Sequence, residues 1–205
     1  MLPGTNRIEG MSDSNGVDDR WLLPSLMILL ALGYVWLLLP GDEASLRLMI
    51  RTSGRVSLFV FSVAFAAAPL AQLIRKPPTT WIRRNRRSLG LLFAWSQLLH
   101  LLGLCSLGIW YPQDFLPYLG FVTVVGGGLA YALTFAMAAT SSDRAQQAMG
   151  FNRWRRLHLV GGWWIWVVFL QTMNPVLEPW YWSLPLLTAA LLRLQAAVTR
   201  RRLSS

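Results

Sequence analysis

Residues 89–110 decide the fold, and they read LGLLFAWSQLLHLLGLCSLGIW. The stretch contains no Asp, Glu, Lys or Arg. At about 1.5 Å of helix rise per residue it is long enough to cross a hydrocarbon core about 30 Å thick. A spanning segment must satisfy its own backbone hydrogen bonds, and the alternation of a transmembrane barrel strand is absent. The stretch therefore predicts a transmembrane α-helix with one histidine, His100, near its middle.

Five further apolar runs of similar length flank this stretch. Together the six runs cover residues 21–39, 56–74, 89–110, 115–138, 157–173 and 180–198. The chain of 205 residues is 54% hydrophobic and only 14% charged, which leaves too little polar surface to clothe a soluble globule. We therefore predict an all-α integral membrane protein, in which residues 21–199 form a single six-transmembrane-helix bundle.

The positions of Lys and Arg predict the orientation, because short loops rich in these residues stay on the cytoplasmic side. The second connection, the fourth and the tail are the basic ones, with Arg75, Lys76, Arg83, Arg84, Arg86, Arg87, Arg144, Arg153, Arg155, Arg156, Arg200, Arg201 and Arg202. The third and fifth connections, residues 111–114 and 174–179, contain no Lys or Arg. Alternation then places both the N and the C terminus in the cytoplasm. The first connection, residues 40–55, carries three arginines and has to lie outside, against this trend.

The chain ends and the net charge restrict the class of protein further. Residues 1–20 are polar and are expected to form a disordered cytoplasmic leader, while residues 200–205 form a basic cytoplasmic tail. A signal peptide is not predicted, because no basic region precedes the first run and that run is long enough to span. The formal net charge of +10 is spread over short loops, which favours membrane lipids over nucleic acid as the partner.

Two histidines are the candidate functional residues. His100 lies thirteen residues beyond Arg87, roughly 20 Å of helix rise from the inner surface. Such a side chain near the middle of a membrane is costly, so it is a functional candidate, the alternative being an imidazole hydrogen-bonded to a neighbouring helix. His158 follows Arg156 by two residues and is expected at the inner mouth of the fifth run. A position among the head groups is the alternative there.

Three segments carry a family resemblance. They are SGRVSLFVFSVAFAAAPL, RRNRRSLGLLFAWSQLLHLLGL and LTFAMAATSSDRAQQAMGFNRWRRLHLVGGWWIW. They resemble the ferric-reductase-like transmembrane family, and within it the small bacterial branch of heme-binding membrane subunits for periplasmic methionine-sulfoxide reductase, the MsrQ type. The order of elements agrees over residues 51–173, from a Gly-Arg pair through an arginine-rich loop and a mid-span His to a Trp-x-x-Leu-His motif.

The resemblance implies a location and a cofactor. A b-type heme would be held between helices of a bundle in the bacterial inner membrane. Electrons would pass from quinol, or from a cytoplasmic flavin donor such as FMN, to a periplasmic oxidoreductase or a ferric acceptor. Imidazole suits this role because it is a strong axial ligand for heme iron.

One position departs from the family pattern. The family carries a second histidine thirteen residues after the first in the fifth run, and Gln171 stands there in this chain. Gln171 is fifteen residues past Arg156, which places it roughly 22 Å from the inner surface, within about 3 Å of the depth of His100. His158 lies only about 3 Å from that surface. The expected partner of His100 is therefore Gln171. Three outcomes stay open: a heme on His100 alone or with an exogenous ligand, a heme displaced so that His158 takes part, or no heme.

Arg55 has two interpretations. At the outer end of the second run it is expected to meet the propionates of a heme on His100, or else to extend to the outer head groups.

Two functional hypotheses follow for the whole chain. One is a heme-bearing electron-transfer subunit, and the other is a family member without cofactor that serves as an anchor, assembly factor or scaffold.

Overall fold

The architecture is seen in a computed structural model that describes residues 19–38, 41–172 and 179–204. The described part contains helices and no strand. The helices are α1 (Asp19–Leu38), α2 (Glu43–Leu73), α3 (Pro77–Arg84), α4 (Arg86–Trp110), α5 (Pro112–Phe115), α6 (Phe121–Ala139), α7 (Asp143–Met149), α8 (Phe151–Thr172) and α9 (Leu184–Ser204). Short 3-10 turns cover Leu116–Tyr118 and Trp180–Ser183. The prediction of an all-helical protein is confirmed.

Three helices, α2, α4 and α6, are long and apolar enough to cross a membrane. The other three predicted spans fall on α1, α8 and α9, and α1 contributes the shorter apolar stretch Leu23–Trp36. Large apolar side chains face outward along these helices, for example Phe121 with 81% and Leu191 with 63% of its surface exposed. Such exposure suits a protein whose solvent is lipid. The chain is a multi-pass membrane protein, and the count of six spans stays a prediction.

The second apolar run is part of a much longer helix than expected. Residues 40–55 were expected to form a connection, but α2 begins at Glu43 and has 31 residues, a length of about 46 Å. Asp42 caps this start, because its carboxylate accepts a hydrogen bond from the backbone N–H of Ser45 at 2.8 Å. Hydrogen bonds from Ser45 also hold the pKa of Asp42 below its usual value. Ser53 and Arg55 are therefore helical residues.

The core of the bundle is aromatic and forms around α2. Phe61 lies 5.2 Å from Phe65 and 5.2 Å from Phe93 between ring centroids, and 5.5 Å from Phe169. These rings join α2 to α4 and α8. Leu58 and Leu186 are fully buried beside them, and Leu186 brings α9 against the same core. The core therefore ties four helices into one bundle and leaves α6 mostly exposed.

Candidate functional site

Polar side chains line the contact between α2 and α4. Ser53 and Ser57 are one turn apart on α2, and Ser96 and His100 are one turn apart on α4. The Ser57 hydroxyl donates to the Ser96 Oγ at 2.7 Å, and the Ser53 Oγ lies 2.8 Å from His100 Nδ1. All three serines are buried. Because the two helices run antiparallel, the serine pair and the serine–histidine pair form two successive rungs of one polar seam.

The hydrogen bonds at His100 determine which ring nitrogen carries the proton. His100 Nδ1 is 3.0 Å from the carbonyl oxygen of Ile50, and the Ser53 hydroxyl donates to the same oxygen at 2.8 Å. A carbonyl oxygen only accepts, and the Ser53 hydroxyl has a single proton, which this bond uses. The network therefore assigns the ring proton to Nδ1. Nε2 then holds a lone pair, and it has no hydrogen-bond partner among the described residues.

A glycine allows α2 to approach His100 closely. A Cβ atom on Gly103, three residues after His100, would lie 2.9 Å from Met49 Sδ and 2.9 Å from Ile50 Cγ1. Such distances are too short for any other residue to fit unless the neighbours move. Gly103 thus makes room for the side chains of Met49 and Ile50, whose carbonyl contacts the imidazole.

Gln97 adds an unsatisfied polar atom to the same region. It precedes His100 by three residues, and its Oε1 is buried without a hydrogen-bond donor in the described part of the chain. Buried polar atoms are nearly always paired, so this oxygen is available to a ligand or a water molecule. Sequence reasoning missed Gln97 and Ser53, although both are polar residues within or beside an apolar run.

Gln171 does not lie opposite His100. Phe61 on α2 lies 5.2 Å from the ring of Phe93 on α4 and 5.5 Å from that of Phe169 on α8, and the latter two rings are 6.2 Å apart, so Phe93 and Phe169 mark the same height on these parallel helices. His100 is seven residues beyond Phe93, whereas Gln171 is only two beyond Phe169, so His100 lies roughly 7 Å farther along the bundle. The Gln171 side chain is exposed. The expected pairing therefore differs from the structure, because aromatic packing shifts α8 relative to the height that its loop arginines suggest.

His158 occupies a separate site near the other end of α8. It is eleven residues before Phe169, which places it roughly 27 Å from His100 along the bundle. Its Nδ1 lies 3.1 Å from the carbonyl oxygen of Trp154, and the two rings are 4.3 Å apart. A single heme cannot reach both histidines at this separation.

Arg55 faces away from the polar seam. It follows Ser53 by two residues, which turns its side chain to roughly the opposite side of the helix. Its guanidinium carbon lies 5.1 Å from the ring centroid of Trp182, within the range of a cation–π contact. The structure therefore brings Arg55 to the turn before α9 and not to His100.

Comparisons with known proteins match the segment that contains the polar seam. The sequence model of the ferric reductase like transmembrane component family matches residues 53–170, more than half of the chain. The chain belongs to the ferric reductase like transmembrane family. In this family member the match begins at Ser53 and includes His100, His158 and Arg55, while Gln171 follows its end by one residue.

Two curated relatives are named as heme-binding subunits. The protein-methionine-sulfoxide reductase heme-binding subunit MsrQ of Yersinia enterocolitica is 31% identical over 153 residues, covering 68% of this chain and 72% of the relative. The MsrQ protein of Polaromonas naphthalenivorans is 29% identical over 158 residues, covering 68% of each chain. No solved structure matches significantly. The resemblance to the MsrQ branch of the ferric reductase like family is thus confirmed.

One charged residue that contacts the aromatic core lies outside the matched segment of this ferric-reductase-like chain. Arg193 is in the middle of α9, and its Nε donates to the carbonyl oxygen of Phe65 at 2.9 Å. Its guanidinium carbon is 3.6 Å from the centroid of the Phe65 ring. Sequence reasoning missed Arg193. The signal was present, since it is the one Lys or Arg within the sixth apolar run.

Proposed function

We propose that this chain is the heme-bearing, electron-transferring membrane subunit of an oxidoreductase system, with a b-type heme bound axially by His100. The observation that carries the proposal is the hydrogen bonding of His100 Nδ1 to α2, which leaves the Nε2 lone pair for a ligand. Histidines that bind metals almost always donate their other ring N–H to a carbonyl, a carboxylate or water. The naming of both MsrQ relatives as heme-binding subunits supports the same function.

The residues present fit one histidine ligand. Ser53 and Ile50 would orient the imidazole of His100 toward a bound heme. The opposite position has no matching imidazole, since His158 is roughly 27 Å away and Gln171 is about 7 Å out of register. His100 would therefore be the one histidine that holds the heme. Bound heme supplies one-electron redox chemistry.

The proposed topology has six spans with both termini in the cytoplasm of a bacterium and the bundle, residues 21–199, in its inner membrane. Residues 1–20 are then a cytoplasmic leader and residues 200–205 a basic tail. The side chains of Arg83, Arg84, Arg153, Arg155 and Arg156 are exposed and suit the inner surface with its anionic lipids. Electrons come from quinol or from a flavin donor such as FMN, and leave to a periplasmic reductase or a ferric acceptor.

A second function, an anchor or scaffold without cofactor, is favoured by one observation. Gln171 replaces the expected second histidine and is exposed away from His100. In that case His100 and Ser53 serve only as an interhelical hydrogen bond. Both functions require the same bundle, so heme content distinguishes them.

The test is the absorption spectrum of the purified protein expressed with ample heme. We expect a Soret band and reduced-minus-oxidised b-type bands that His100→Ala removes and His158→Ala leaves unchanged. His158→Ala is the matched control, since it deletes the other imidazole of the chain. Absence of a Soret band in the unmodified protein would exclude the heme-bearing function and favour the anchor or scaffold function.

A substitution at Gln171 tests the single-ligand geometry. If the offset of about 7 Å between Gln171 and His100 holds, Gln171→His does not convert the spectrum to that of a low-spin bis-histidine heme. Conversion by this variant would show that α8 stands at the height that its loop arginines suggest.

A further inference from the structure

The contact between Arg193 and Phe65 depends on a proline in α2 that leaves the Phe65 carbonyl without its usual backbone donor. In a helix the carbonyl of Phe65 would accept from the backbone N–H four residues later, but that residue is Pro69, which has no N–H. The Nε of Arg193 takes this place at 2.9 Å. An unpaired carbonyl inside a membrane costs several kcal/mol, so a donor from another helix stabilises the bundle here.

This contact uses only one of the five N–H groups of the guanidinium. Arg193 Nη1 and Nη2 have no hydrogen-bond partner among the described residues, and no carboxylate with a described side chain pairs with Arg193. Among the described residues, Arg193 therefore has a backbone carbonyl and an aromatic ring as its partners and no counterion.

The hydrogen bond to the Phe65 carbonyl alone would not require an arginine. A neutral amide such as Gln or Asn also donates to a carbonyl, at a far lower cost of burial than a cation. A cation inside a span is expensive, and such residues pair with another charge or with backbone carbonyls and mark ligand sites. Arg193 lies seven residues before Arg200, about 10 Å below the basic end of α9, within reach of groups that enter from the inner side.

We propose that Arg193 marks an intramembrane binding site for the phosphate group of an anionic phospholipid. The planar guanidinium binds such groups through its paired N–H donors while Nε stays on Phe65. The phosphodiester of an anionic phospholipid presents this chemistry in a membrane. The propionates of a heme on His100 would not reach Arg193, because fifteen residues of α2, roughly 22 Å, separate the Phe65 carbonyl from the Ile50 carbonyl beside His100.

The variants must separate the charge of Arg193 from its structural bond. Arg193→Gln alone removes the charge and disturbs the Phe65 carbonyl, so it is expected to lower stability. Pro69→Ala restores the missing backbone N–H and satisfies that carbonyl within α2. The double variant Pro69→Ala/Arg193→Gln therefore removes the charge without leaving an orphaned carbonyl, and Pro69→Ala alone is its reference. Arg153→Gln, at an exposed arginine of α8, controls for the loss of one positive charge.

The probe is phosphatidylglycerol against phosphatidylcholine, added to the full chain in detergent, with binding followed by native mass spectrometry. We expect the double variant to bind phosphatidylglycerol about tenfold more weakly than Pro69→Ala does, with the binding of zwitterionic phosphatidylcholine unaffected.

A selective loss of phosphatidylglycerol binding identifies Arg193 as a phosphate site. If phosphatidylglycerol binding does not respond to the loss of Arg193 in the Pro69→Ala background, the anion site is refuted and the arginine is only structural. If the protein binds no heme, the proposed function fails, while the lipid pair still decides the site.

Discussion

At the scale of the residue, His100 owes its orientation to two atoms on a neighbouring helix. The Ile50 carbonyl and the Ser53 hydroxyl converge on Nδ1 at 3.0 and 2.8 Å. Donation of a hydrogen bond from Nδ1–H raises the basicity of the ligand nitrogen on the other side of the ring. The strength of any bond from Nε2 to iron therefore depends on residues that do not touch the iron.

Replacement of Ser53 tests this dependence. In Ser53→Ala the imidazole loses one of its two contacts, so we expect heme retention to fall about tenfold. The reduction potential should rise by roughly 40 mV, because a net loss of about 1 kcal/mol falls on the ferric state. A redox titration with optical detection measures both. Ser57→Ala is the control, because it removes a buried hydroxyl of the same helix that bonds Ser96 and not His100. Equal effects of the two variants would contradict a specific role for Ser53.

At the scale of the element, the approach of α2 to α4 positions the site. Gly103 makes room for Met49 and Ile50, and the serine rungs align the two helices. The longer α2 is part of this arrangement, since Ile50 and Ser53 belong to the portion that the hydropathy pattern assigned to a connection. Half of the histidine site thus lies in a segment whose helical structure was not expected.

A larger side chain at Gly103 should separate these helices. We expect Gly103→Val to lower the free energy of unfolding by about 1–3 kcal/mol through overpacking. It should also reduce heme retention, because the Ile50 carbonyl moves away from His100. Thermal unfolding in detergent and the Soret absorbance are the measurements. Gly90 is on the same helix, and a Cβ added there has nothing within 4 Å. Gly90→Val should therefore change neither the unfolding temperature nor the Soret absorbance. Unchanged heme content in folded Gly103→Val would argue against the importance of the close approach.

At the scale of the whole molecule, the bundle is held by an aromatic core and surrounded by lipid. Residues such as Phe61 and Phe65 are almost fully buried, while equally apolar residues such as Phe121 are 81% exposed. The membrane rather than the protein covers the second kind. The distribution of charge along the chain then determines which side each loop takes.

Reporter fusions test the proposed topology. A reporter active only in the periplasm should be active when it is fused after residue 113 and inactive when it is fused after residue 85 or residue 205. The expectation follows from the arginines around residues 75–87 and their absence from 111–114. A fluorescent protein that folds in the cytoplasm is the reciprocal control. Periplasmic activity of the fusion after residue 205 would contradict an even number of spans.

The sequence by itself determined that the chain enters a membrane, that it is helical, and that His100 lies within a span. These properties follow from composition and from the length of apolar runs, which local chemistry controls. The family resemblance was also readable in the segments around His100 and His158. The bounds of α2 were not, because the capped start at Asp42 lies in a polar stretch that resembles a loop.

Only the tertiary structure decided what faces His100. The sequence favoured Gln171, but the packing of Phe93 on Phe169 shifts α8, and the contacts of His100 are Ser53 and Ile50. It also decided that Arg193 bonds the carbonyl that Pro69 leaves free. The physical reason is that lipid and protein core are both apolar. Hydropathy therefore does not show which face of a membrane helix is buried in the protein, or how far the helix is displaced along its axis relative to a neighbouring helix. The packing of side chains determines both.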